Sequence, residues 1–296
     1  MSILKVEAEC ASCLLVRAMA ETYEATTNPA LRFRAMKEVI KLLNREFRST
    51  AGPADLGTKR DRLIKRLTSN NDPYKRSKKM SNEKAMKLLP NARKFVEEGY
   101  NQQDRFKKAC LCTIVGNIME VDIPGHNFTS SSLRKSFREA AKDLVVDDVD
   151  KAYELAKKAR SVLYLADNAG EIVFDTLLVE QLKNMGVAVT YVVKGGPVIN
   201  DATLEDVEFS GMNKLADNIL TTGTDAVGLL QKEVSPEFLK AYDEAELVFA
   251  KGMGYAETLT EYKLTKPHLL LFRTKCNPVA NYFCAPRNRN IAKLMP

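Results

Sequence analysis

The chain has 296 residues, 45% of them hydrophobic, and its 45 basic and 38 acidic side chains give a formal net charge of +7. A chain of this size can bury a sizeable core, and its length suggests two domains. No apolar run approaches the roughly 18 residues that span a bilayer, and the N-terminus lacks the basic and then apolar pattern of a signal peptide. We therefore expect a folded cytoplasmic protein that has no membrane as a partner.

Helical periodicity dominates the chain up to about residue 150. Apolar residues recur at spacings of three or four from Phe33 to Phe47, which is typical of one buried helix face. Similar patterns predict helices near residues 4–20, 82–98, 104–120 and 132–144. Ser81 and Asp104 are candidate N-caps of the two helices that follow them. The polar segment 72–82, DPYKRSKKMSN, is predicted to be a loop that leads into a helix.

Short apolar runs separated by helical stretches take over after residue 150. The predicted strands are residues 161–166, 187–193, 218–222, 246–250 and 268–273. Because these runs are apolar on both alternating faces, they are typical of a parallel sheet covered on both sides by helices. Helices at 171–184 and 224–232 complete successive β-α units. The sequence thus predicts a helical domain over 1–150 and a Rossmann-like, doubly wound, mostly parallel α/β domain over 151–296.

Polar residues follow the predicted strands at their carboxyl ends, where open parallel sheets bind their ligands. Asp167, Asn168 and Asp201 carry hard oxygen ligands suited to a divalent cation. Three protein ligands leave coordination positions for water and substrate. A cation held there can activate water for phosphoester hydrolysis without histidine. Each residue alone is equally typical of a turn or an N-cap, and a nucleotide-binding module without catalysis stays open.

Lysines and glycines accompany these residues. Lys194, Lys251 and Lys275 place ammonium groups at three strand ends, where they can bind phosphate oxygens. Four glycines in the same loops are predicted to let backbone N–H groups approach an anion. They are Gly170, Gly195, Gly223 and Gly252. The edge of the sheet therefore indicates a combined metal and phosphate site for a small phosphorylated metabolite.

Histidine and cysteine are sparse. Only His126 and His268 are available for imidazole chemistry, and we expect the first in a loop and the second in a structural position at the start of a strand. The six cysteines occupy positions 10, 13, 110, 112, 276 and 284. They are too dispersed for the disulfide framework of a small secreted domain, so reduced thiols are expected. Structural zinc, a labile disulfide and ordinary packing all stay open for the first four.

Several motifs together resemble one known family. They are CxxC at 10–13, DPYK at 72–75 with SN at 81–82, GNIME at 116–120, DNAGE at 167–171, KGGPVIND at 194–201, TTGTD at 221–225, AKG at 250–252 and FRTKC at 272–276. In this combination and order the chain resembles the damage-control phosphatases, formerly domain of unknown function 89, in their simpler microbial branch. DNAGE followed by the later ND is the most specific part.

The resemblance implies a divalent-metal-dependent phosphomonoesterase acting on sugar phosphates or damaged side-product phosphates. It implies that Asp167, Asn168 and Asp201 hold Mn²⁺, Co²⁺, Ni²⁺ or Mg²⁺. It also implies substrate contacts from Glu171, from the segment beginning Lys251-Gly252, and from Lys275. Asp167 and Glu171 are the candidate catalytic residues, with Glu171 orienting the substrate or the attacking water. Direct attack by water is favoured over a covalent intermediate on Asp167, whose oxygens are engaged as metal ligands.

Two positions depart from the family pattern. Relatives commonly continue KG with Gln and, two residues later, Asn, whereas this chain has Met253 and Tyr255. If those amides contact the substrate, its preference changes here, and a non-catalytic phosphometabolite- or nucleotide-binding module is the alternative function. Nucleic-acid binding through the basic segment 75–79 is disfavoured, because no aromatic residues are interleaved with the charges. The sequence does not indicate an oligomeric state.

Overall fold

The first part of the chain is helical. The structure, a computed structural model, describes residues 3–116, 137 and 139–296. The first helices are α1 Ala8–Ala25, α2 Pro29–Glu46, α3 Pro53–Thr68, α4 Lys75–Glu97 and α5 Gln102–Gly116. They confirm the helices predicted near 4–20, 33–47, 82–98 and, as far as Gly116, 104–120. Residues 139–142 are also helical, but most of the predicted helix 132–144 and the remainder of GNIME lie outside the described residues. No helix in the described ranges is long and apolar enough to cross a membrane.

The segment 72–82 is not the predicted loop. Helix α4 begins at Lys75, so Ser81 lies inside the helix and does not cap it. The helix starts early because Lys78 is buried and its ammonium contacts the Asp72 carboxylate at 2.8 Å, which ties the first turn to the preceding bend. Asp104 likewise lies within the first turn of α5 and not at its N-cap.

Seven strands form one sheet among the described residues. They are β1 Leu144–Asp147, β2 Ser161–Leu165, β3 Ala188–Val193, β4 Asn218–Thr221, β5 Leu247–Lys251, β6 His268–Arg273 and β7 Asn290–Met295. Their spatial order is β1-β7-β6-β5-β2-β3-β4, and every neighbouring pair is parallel except β6 with β7. All five predicted strands and the mostly parallel sheet are confirmed. Strands β1 and β7 were not predicted, because β1 is short and β7 carries the polar residue Lys293 in its middle.

Helices connect the strands of the second half. They are α6 Val149–Ala156, α7 Glu171–Asn184, α8 Leu204–Ser210, α9 Pro236–Glu244, α10 Gly252–Leu259 and α11 Asn277–Tyr282. Helix α7 confirms the prediction for 171–184. The helix predicted at 224–232 is wrong, since the segment consists of bends and turns. Gly228 has a φ of 64° there, and its backbone packs so closely on Gly254 that a Cβ would lie 2.3 Å from the Gly254 carbonyl oxygen.

Buried side chains form three clusters. On one face of the sheet, Tyr164 and Phe249 pack with residues of α4, α5 and α7. On the other face, Leu165 and Phe272 pack with residues of α9 and α10, as predicted for a sheet covered on both sides. Helices α1 to α3 have a cluster of their own. Helices α4 and α5 therefore share the core of the sheet, and the boundary near residue 150 stays a prediction.

The strand order creates a crevice between β2 and β5. From β2 the chain proceeds outward to β3 and β4, whereas β5 lies on the opposite side of β2 and is followed outward by β6. The connections after β2 and β5 therefore depart in opposite directions, which opens a crevice at the carboxyl ends of these strands. Asp167 follows β2 and Gly252 follows β5, so both lie at this switch point.

Candidate active site

A cleft of about 240 Å³ lies where the carboxyl edge of the sheet meets α1 and α3. Four of the sequence-predicted site residues line it: Asp167, Asn168, Asp201 and Lys275. The volume lies just below the range of about 300–1,000 Å³ that is usual for ligand sites. The structure therefore brings the proposed metal ligands and one proposed phosphate ligand to one cleft that fits a small metabolite.

Gly252 makes room for the Asp167 carboxylate. A Cβ added at Gly252 would lie only 1.9 Å from Asp167 Oδ2, and the glycine has a φ of 84°, which disfavours any side chain. The backbone at the start of α10 is thus in close contact with the carboxylate across the switch point. In this structure Gly252 affects the site by leaving space for the Asp167 carboxylate, and its predicted contact with substrate stays a prediction.

Backbone hydrogen bonds align the two segments that carry the proposed metal ligands. Asn168 and Asp201 form an isolated antiparallel bridge. The Ala202 N–H donates to the Asp167 carbonyl at 2.8 Å, and the Ala169 N–H donates to the Asn200 carbonyl at 2.9 Å. Residues distant in sequence are thereby fixed side by side on the cleft floor.

Asn168 has a defined amide orientation. Its Nδ2 donates to Asp167 Oδ2 at 3.0 Å and to Glu171 Oε1 at 2.6 Å. An ionised carboxylate can only accept hydrogen bonds, so the NH₂ end of the amide must face these two groups. Both amide hydrogens are then used, and the amide oxygen is the atom left to ligate a cation.

Carboxylates lie close together at the floor of the cleft and affect one another's pKa. Burial, followed by the Glu171 and Asp201 carboxylates, raises the pKa of Asp167 well above its usual range. Burial likewise raises the pKa of Asp201 to about 6, against the opposing effect of Lys194. Carboxylates that repel one another in a partly dry site are stabilised in their charged form by a bound cation.

The donor set suits a hard divalent cation. Asp167, Asn168 and Asp201 offer oxygen atoms, the ligands that Mg²⁺ and Mn²⁺ prefer. Across the described ranges, no group of three His, Cys, Asp or Glu side chains is arranged to hold a metal ion, which disfavours a site of the zinc-finger type. The proposed set consists of two carboxylates and one amide. These three ligands leave coordination positions on the cation for water and substrate.

A buried ion pair lies behind the cleft floor. The Lys251 ammonium donates to Glu171 Oε2 at 2.9 Å and to the Thr113 carbonyl at 2.8 Å, and it lies 3.6 Å from Asp175 Oδ1. Lys251 and Glu171 are almost fully buried and lie outside the described lining of the cleft. Asp175 also accepts from two tyrosine hydroxyls. In this arrangement Glu171 reaches the site through Asn168, and substrate contacts from Glu171 and Lys251 stay predictions.

Lys194 supports Asp201 from inside the fold. Its ammonium donates to the Gly228 carbonyl at 2.7 Å and lies 3.6 Å from Asp201 Oδ2 and 4.4 Å from the centre of the Tyr255 ring. Lys194 and Tyr255 are both buried. The Tyr255 departure therefore bears on the position of Lys194, whereas Met253 lines the cleft and its sulfur accepts the Lys275 N–H at 3.2 Å. Phosphate binding by Lys194 stays a prediction.

The N–H groups of three of the four glycines donate hydrogen bonds within the chain. The Gly170 N–H donates to Asn82 Oδ1 at 2.6 Å. The Gly195 N–H donates to the Thr224 carbonyl at 2.9 Å, and the Gly223 N–H donates to a threonine hydroxyl at 3.2 Å. These three N–H groups complete the loops at the strand ends, and the predicted approach of backbone N–H groups to an anion stays a prediction.

Sequence reasoning missed the contribution of the helical part to the site. Arg17 of α1 and Gly57 of α3 line the cleft, and Asn82 of α4 holds the DNAGE turn through Gly170 while donating to Asp206 at 2.6 Å. Asn82 belongs to the SN motif, so its presence among the family motifs was the available signal. No local pattern distinguished Arg17 from an ordinary surface residue.

The structure combines a mostly parallel α/β sheet with an oxygen-rich cleft at its switch point, the arrangement of a Rossmann-like enzyme with a candidate metal and phosphate site. The family model described as "Damage-control phosphatase ARMT1-like domain" matches residues 6–291. A damage-control phosphatase of Archaeoglobus fulgidus is 37% identical over 94% of both chains, and one of Pyrococcus horikoshii is 33% identical over 96% of both. The crystal structure of a DUF89 family protein from Pyrococcus horikoshii superposes with a TM-score of 0.86 at 31% identity, covering 97% of this chain and 98% of that one. The chain therefore belongs to the damage-control phosphatase family.

Proposed function

We propose that the protein is a divalent-metal-dependent phosphomonoesterase that hydrolyses small phosphometabolites, such as sugar phosphates or damaged side-product phosphates. The observation that carries the proposal is the convergence of Asp167, Asn168 and Asp201 on the floor of one small cleft that Lys275 also lines. Membership of a phosphatase family supports the hydrolytic reaction.

The protein groups have separate tasks in this proposal. Asp167, Asn168 and Asp201 hold Mn²⁺, Co²⁺, Ni²⁺ or Mg²⁺, which when bound polarises the phosphoryl group and lowers the pKa of a bound water toward neutrality. Lys275 offers its ammonium to the phosphate from the cleft wall. Glu171 accepts a hydrogen bond from Asn168 Nδ2, which leaves the amide oxygen as the atom that can ligate the cation. Attack by water is preferred to a covalent step on Asp167, since that carboxylate is assigned to the cation.

Met253 is the residue that we expect to influence substrate preference. It lines the cleft, its sulfur accepts the Lys275 N–H, and it presents a thioether where the family resemblance implies an amide. A thioether is a weak acceptor and no donor. The substrate portion next to the phosphate should therefore be bound with fewer hydrogen bonds than in relatives with glutamine at this position.

The test is hydrolysis of p-nitrophenyl phosphate by protein that has been treated with EDTA, desalted and supplied with one metal at a time. Asp167→Ala and Asp201→Ala should be inactive with every metal. Asp243→Ala is the matched control, because Asp243 is an exposed aspartate of α9. A panel of phosphometabolites with the best metal then ranks substrates.

Three outcomes separate the candidate functions. Metal-dependent release of phosphate that is lost in both aspartate variants supports the proposal. Thermal stabilisation by phosphometabolites without release of phosphate would favour the non-catalytic binding module. Activity that survives unchanged in both variants would show that the assigned ligands are wrong.

A further inference from the structure

Ile199 has an unusual backbone conformation close to the proposed metal ligand Asp201. Its φ is 46°, in the left-handed region where a β-branched residue is an outlier. Among the described residues, the other non-glycine positions with a positive φ are Ser69, Cys284 and Asn288, and none of these is β-branched. Ile199 lines the cleft. A strained conformation of this kind persists only where the surrounding structure holds it in place.

Ile199 is the first central residue of a tight turn. The Asp201 N–H donates to the Val198 carbonyl at 3.0 Å, which closes a turn over residues 198–201. Turns whose first central residue has a positive φ are dominated by Gly, Asn and Asp, which adopt that conformation at little cost. An isoleucine at this position therefore needs a contact from elsewhere in the chain to keep the turn formed.

Asp61 of α3 supplies that contact. Its Oδ1 accepts the Ile199 backbone N–H at 3.1 Å, across 138 residues of sequence, and the Asp61 side chain is fully buried. The bond fixes the orientation of the peptide group that precedes Ile199. Without the bond that peptide group can rotate, and the backbone at Ile199 can relax to a negative φ.

Lys65, one helical turn after Asp61, keeps this carboxylate in place. The Lys65 ammonium lies 2.8 Å from Asp61 Oδ2, and it donates to the Pro197 carbonyl at 2.6 Å and to Asp225 Oδ2 at 2.9 Å. An ammonium group has three N–H donors, so these three partners account for all of them. Helix α3 therefore holds the segment before the turn at two points, the Pro197 carbonyl and the Ile199 N–H.

The turn leads directly into the backbone that carries Asp201. The residues on either side, Asn200 and Ala202, form backbone hydrogen bonds with the segment 167–169, which carries the other two proposed ligands. Rotation at Ile199 moves residues 200–202 relative to that segment. Because metal ligands must be held within about 0.5 Å of the productive geometry, relaxation of the turn would misplace the Asp201 carboxylate.

We propose that Asp61 is a positioning residue for the metal site: by holding Ile199 in the left-handed conformation, it places Asp201 where its carboxylate can share a cation with Asp167. Asp61 lies outside the described lining of the cleft, so it acts through the backbone of the turn and not by contact with metal or substrate. The inference rests on the proposed function, since it takes Asp201 as a metal ligand.

The experiment removes Asp61 in the presence and in the absence of the strain at Ile199. Asp61→Ala should raise the dissociation constant for Mn²⁺ about 10–100-fold relative to wild type, the usual effect of losing a residue that orients metal ligands. In an Ile199→Gly background the same substitution should raise it only about twofold, because glycine populates positive and negative φ about equally. Electron paramagnetic resonance of free Mn²⁺, in protein treated with EDTA and desalted, measures the four dissociation constants.

Ser69→Gly is the matched control for the glycine background. Ser69 has a φ of 53°, is exposed and follows the last residue of α3. This substitution relieves a left-handed residue on the same helix without touching the turn. In the Ser69→Gly background Asp61→Ala should therefore show the full loss of Mn²⁺ affinity. Equal losses in the wild-type and Ile199→Gly backgrounds would overturn the proposal, because Asp61 would then act through its charge or through the stability of the fold.

Hydrogen exchange of the Ile199 amide is a readout that needs no variant of Asp61. In metal-free wild type labelled with ¹⁵N-isoleucine, the Ile199 signal is identified by its absence from Ile199→Gly. It should be protected from exchange with deuterium, as expected for a hydrogen-bonded amide. If Asp61→Ala fails to fold, this measurement decides the inference, and exchange at the rate of an unstructured amide would overturn it.

Hydrolysis of p-nitrophenyl phosphate separates this inference from the proposed function. If the Mn²⁺ affinities follow the expected pattern but wild type hydrolyses no phosphate ester with any metal, the catalytic proposal has failed and the positioning role of Asp61 stands. If wild type is an active phosphatase but Asp61→Ala binds Mn²⁺ as tightly as wild type, the positioning role is wrong and the proposed function stands. A wild-type protein that binds no Mn²⁺ would also overturn the inference, because Asp201 would have no such cation to be positioned for.

Discussion

Buried ionisable groups occur at both edges of the sheet, and the two edges treat them differently. At the amino-terminal edge His268 opens β6, its Nε2 lies 2.7 Å from the Tyr242 hydroxyl, and its Nδ1 lies 2.7 Å from the Lys266 carbonyl. Burial is the main cause that lowers the pKa of His268 to about 4. At the carboxyl edge burial, followed by the neighbouring Glu171 and Asp201 carboxylates, raises the pKa of Asp167. Both ring nitrogens of His268 have partners within the chain, whereas Asp167 lies near two further carboxylates that raise its pKa.

Burial is the main cause of the pKa shift at both His268 and Asp167, so burial alone does not distinguish a structural residue from a functional one. The charges and hydrogen-bond partners around each group do. A histidine held neutral between two partners contributes to stability and lies away from the cleft, in agreement with the structural role predicted for His268. The second histidine, His126, lies outside the described residues. Mutually repelling carboxylates weaken the fold, which is typical of residues retained for a ligand. Substitutions at each edge should therefore have opposite consequences for activity and stability.

The largest expected effect comes from Asp167→Asn. Loss of the carboxylate removes a proposed metal ligand, and we expect phosphatase activity to fall about 10²–10³-fold, as when a key charge-stabilising group is removed. The same change removes repulsion with Glu171 and Asp201, so the metal-free variant should melt at the same temperature as wild type or higher. Melting curves in EDTA and in Mn²⁺, together with kcat, check both expectations.

Asp243→Asn is the control for this substitution, because it removes an exposed carboxylate of α9. It should leave kcat and the Mn²⁺-induced rise in melting temperature unchanged. If the melting temperature in EDTA falls markedly in Asp167→Asn and not in Asp243→Asn, Asp167 stabilises the fold. That result would contradict the proposed difference between the two edges of the sheet.

Gly252→Ala should show how closely the carboxyl edge is fitted around Asp167. The new Cβ would lie 1.9 Å from Asp167 Oδ2, so the carboxylate must move, and we expect activity to fall roughly 10²-fold. Gly186→Ala is the matched control, because Gly186 has a φ of 81° against 84° for Gly252 but nothing lies within 4 Å of an added Cβ. Both variants should lose about 1–2 kcal/mol of stability from backbone strain, and only Gly252→Ala should lose activity. If the two variants have the same kcat and KM, the contact between Gly252 and Asp167 does not affect activity, and the prediction is wrong.

His268→Gln tests the opposite edge through pH. The pKa of His268 is lower in the folded protein than its ordinary value of 6.5, so the unfolded chain binds the proton more readily. The resulting stability is present above pH 6.5 and is lost as pH falls toward 4. For wild type we expect this group to reduce the free energy of unfolding by roughly 2–3 kcal/mol between pH 7.5 and 4.5.

Urea unfolding at several pH values measures this effect, with activity at pH 7.5 as the companion readout. Between pH 7.5 and 4.5 the free energy of unfolding of His268→Gln should fall by roughly 2–3 kcal/mol less than that of wild type. Its kcat/KM at pH 7.5 should stay close to that of wild type. A pH profile of stability identical to that of wild type would show that His268 is not the group responsible.

The strand ends that contribute to the candidate site could be predicted from the sequence. Which of their side chains line the cleft, and which are buried behind it, could not. The strands were recognisable because their apolar, β-branched runs are continuous, and parallel strands must bring their carboxyl ends to one edge. Lys194, Lys251 and Lys275 looked equivalent in sequence, yet only Lys275 lines the cleft. The other two are buried because carbonyl groups of Gly228 and Thr113 accept their hydrogen bonds. Those partners come from distant segments that no local pattern relates to a strand end.

Helix boundaries show the same limit. Ser81 has the residue type of an N-cap, but the helix already begins at Lys75, where the buried contact of Lys78 with Asp72 stabilises an earlier start. The segment 224–232 has helical apolar spacing, but close packing of Gly228 on Gly254 requires a turn. In both cases a tertiary contact determined the local structure.

The smallest expected effect belongs to Asn82→Ala, which reaches the carboxyl edge only through the backbone. The Asn82 side chain accepts from the Gly170 N–H at 2.6 Å and donates to Asp206 at 2.6 Å, and it is buried. Its loss leaves both groups without this partner and loosens the turn that positions Asp167 and Asn168. We expect kcat/KM to fall about tenfold, the lower end for residues that orient metal ligands, together with weaker binding of Mn²⁺.

Asn28→Ala separates loss of positioning from loss of stability. Asn28 caps α2 by accepting from the N–H groups of Ala30 and Leu31, and its removal costs about 1 kcal/mol. This control should lower the melting temperature and leave kcat/KM and the affinity for Mn²⁺ unchanged. If Asn82→Ala also keeps both, the DNAGE turn holds its ligands without help from α4. Asn82 would then belong with His268 among the residues whose hydrogen bonds stabilise the fold, and the functional edge would be confined to the residues that line the cleft.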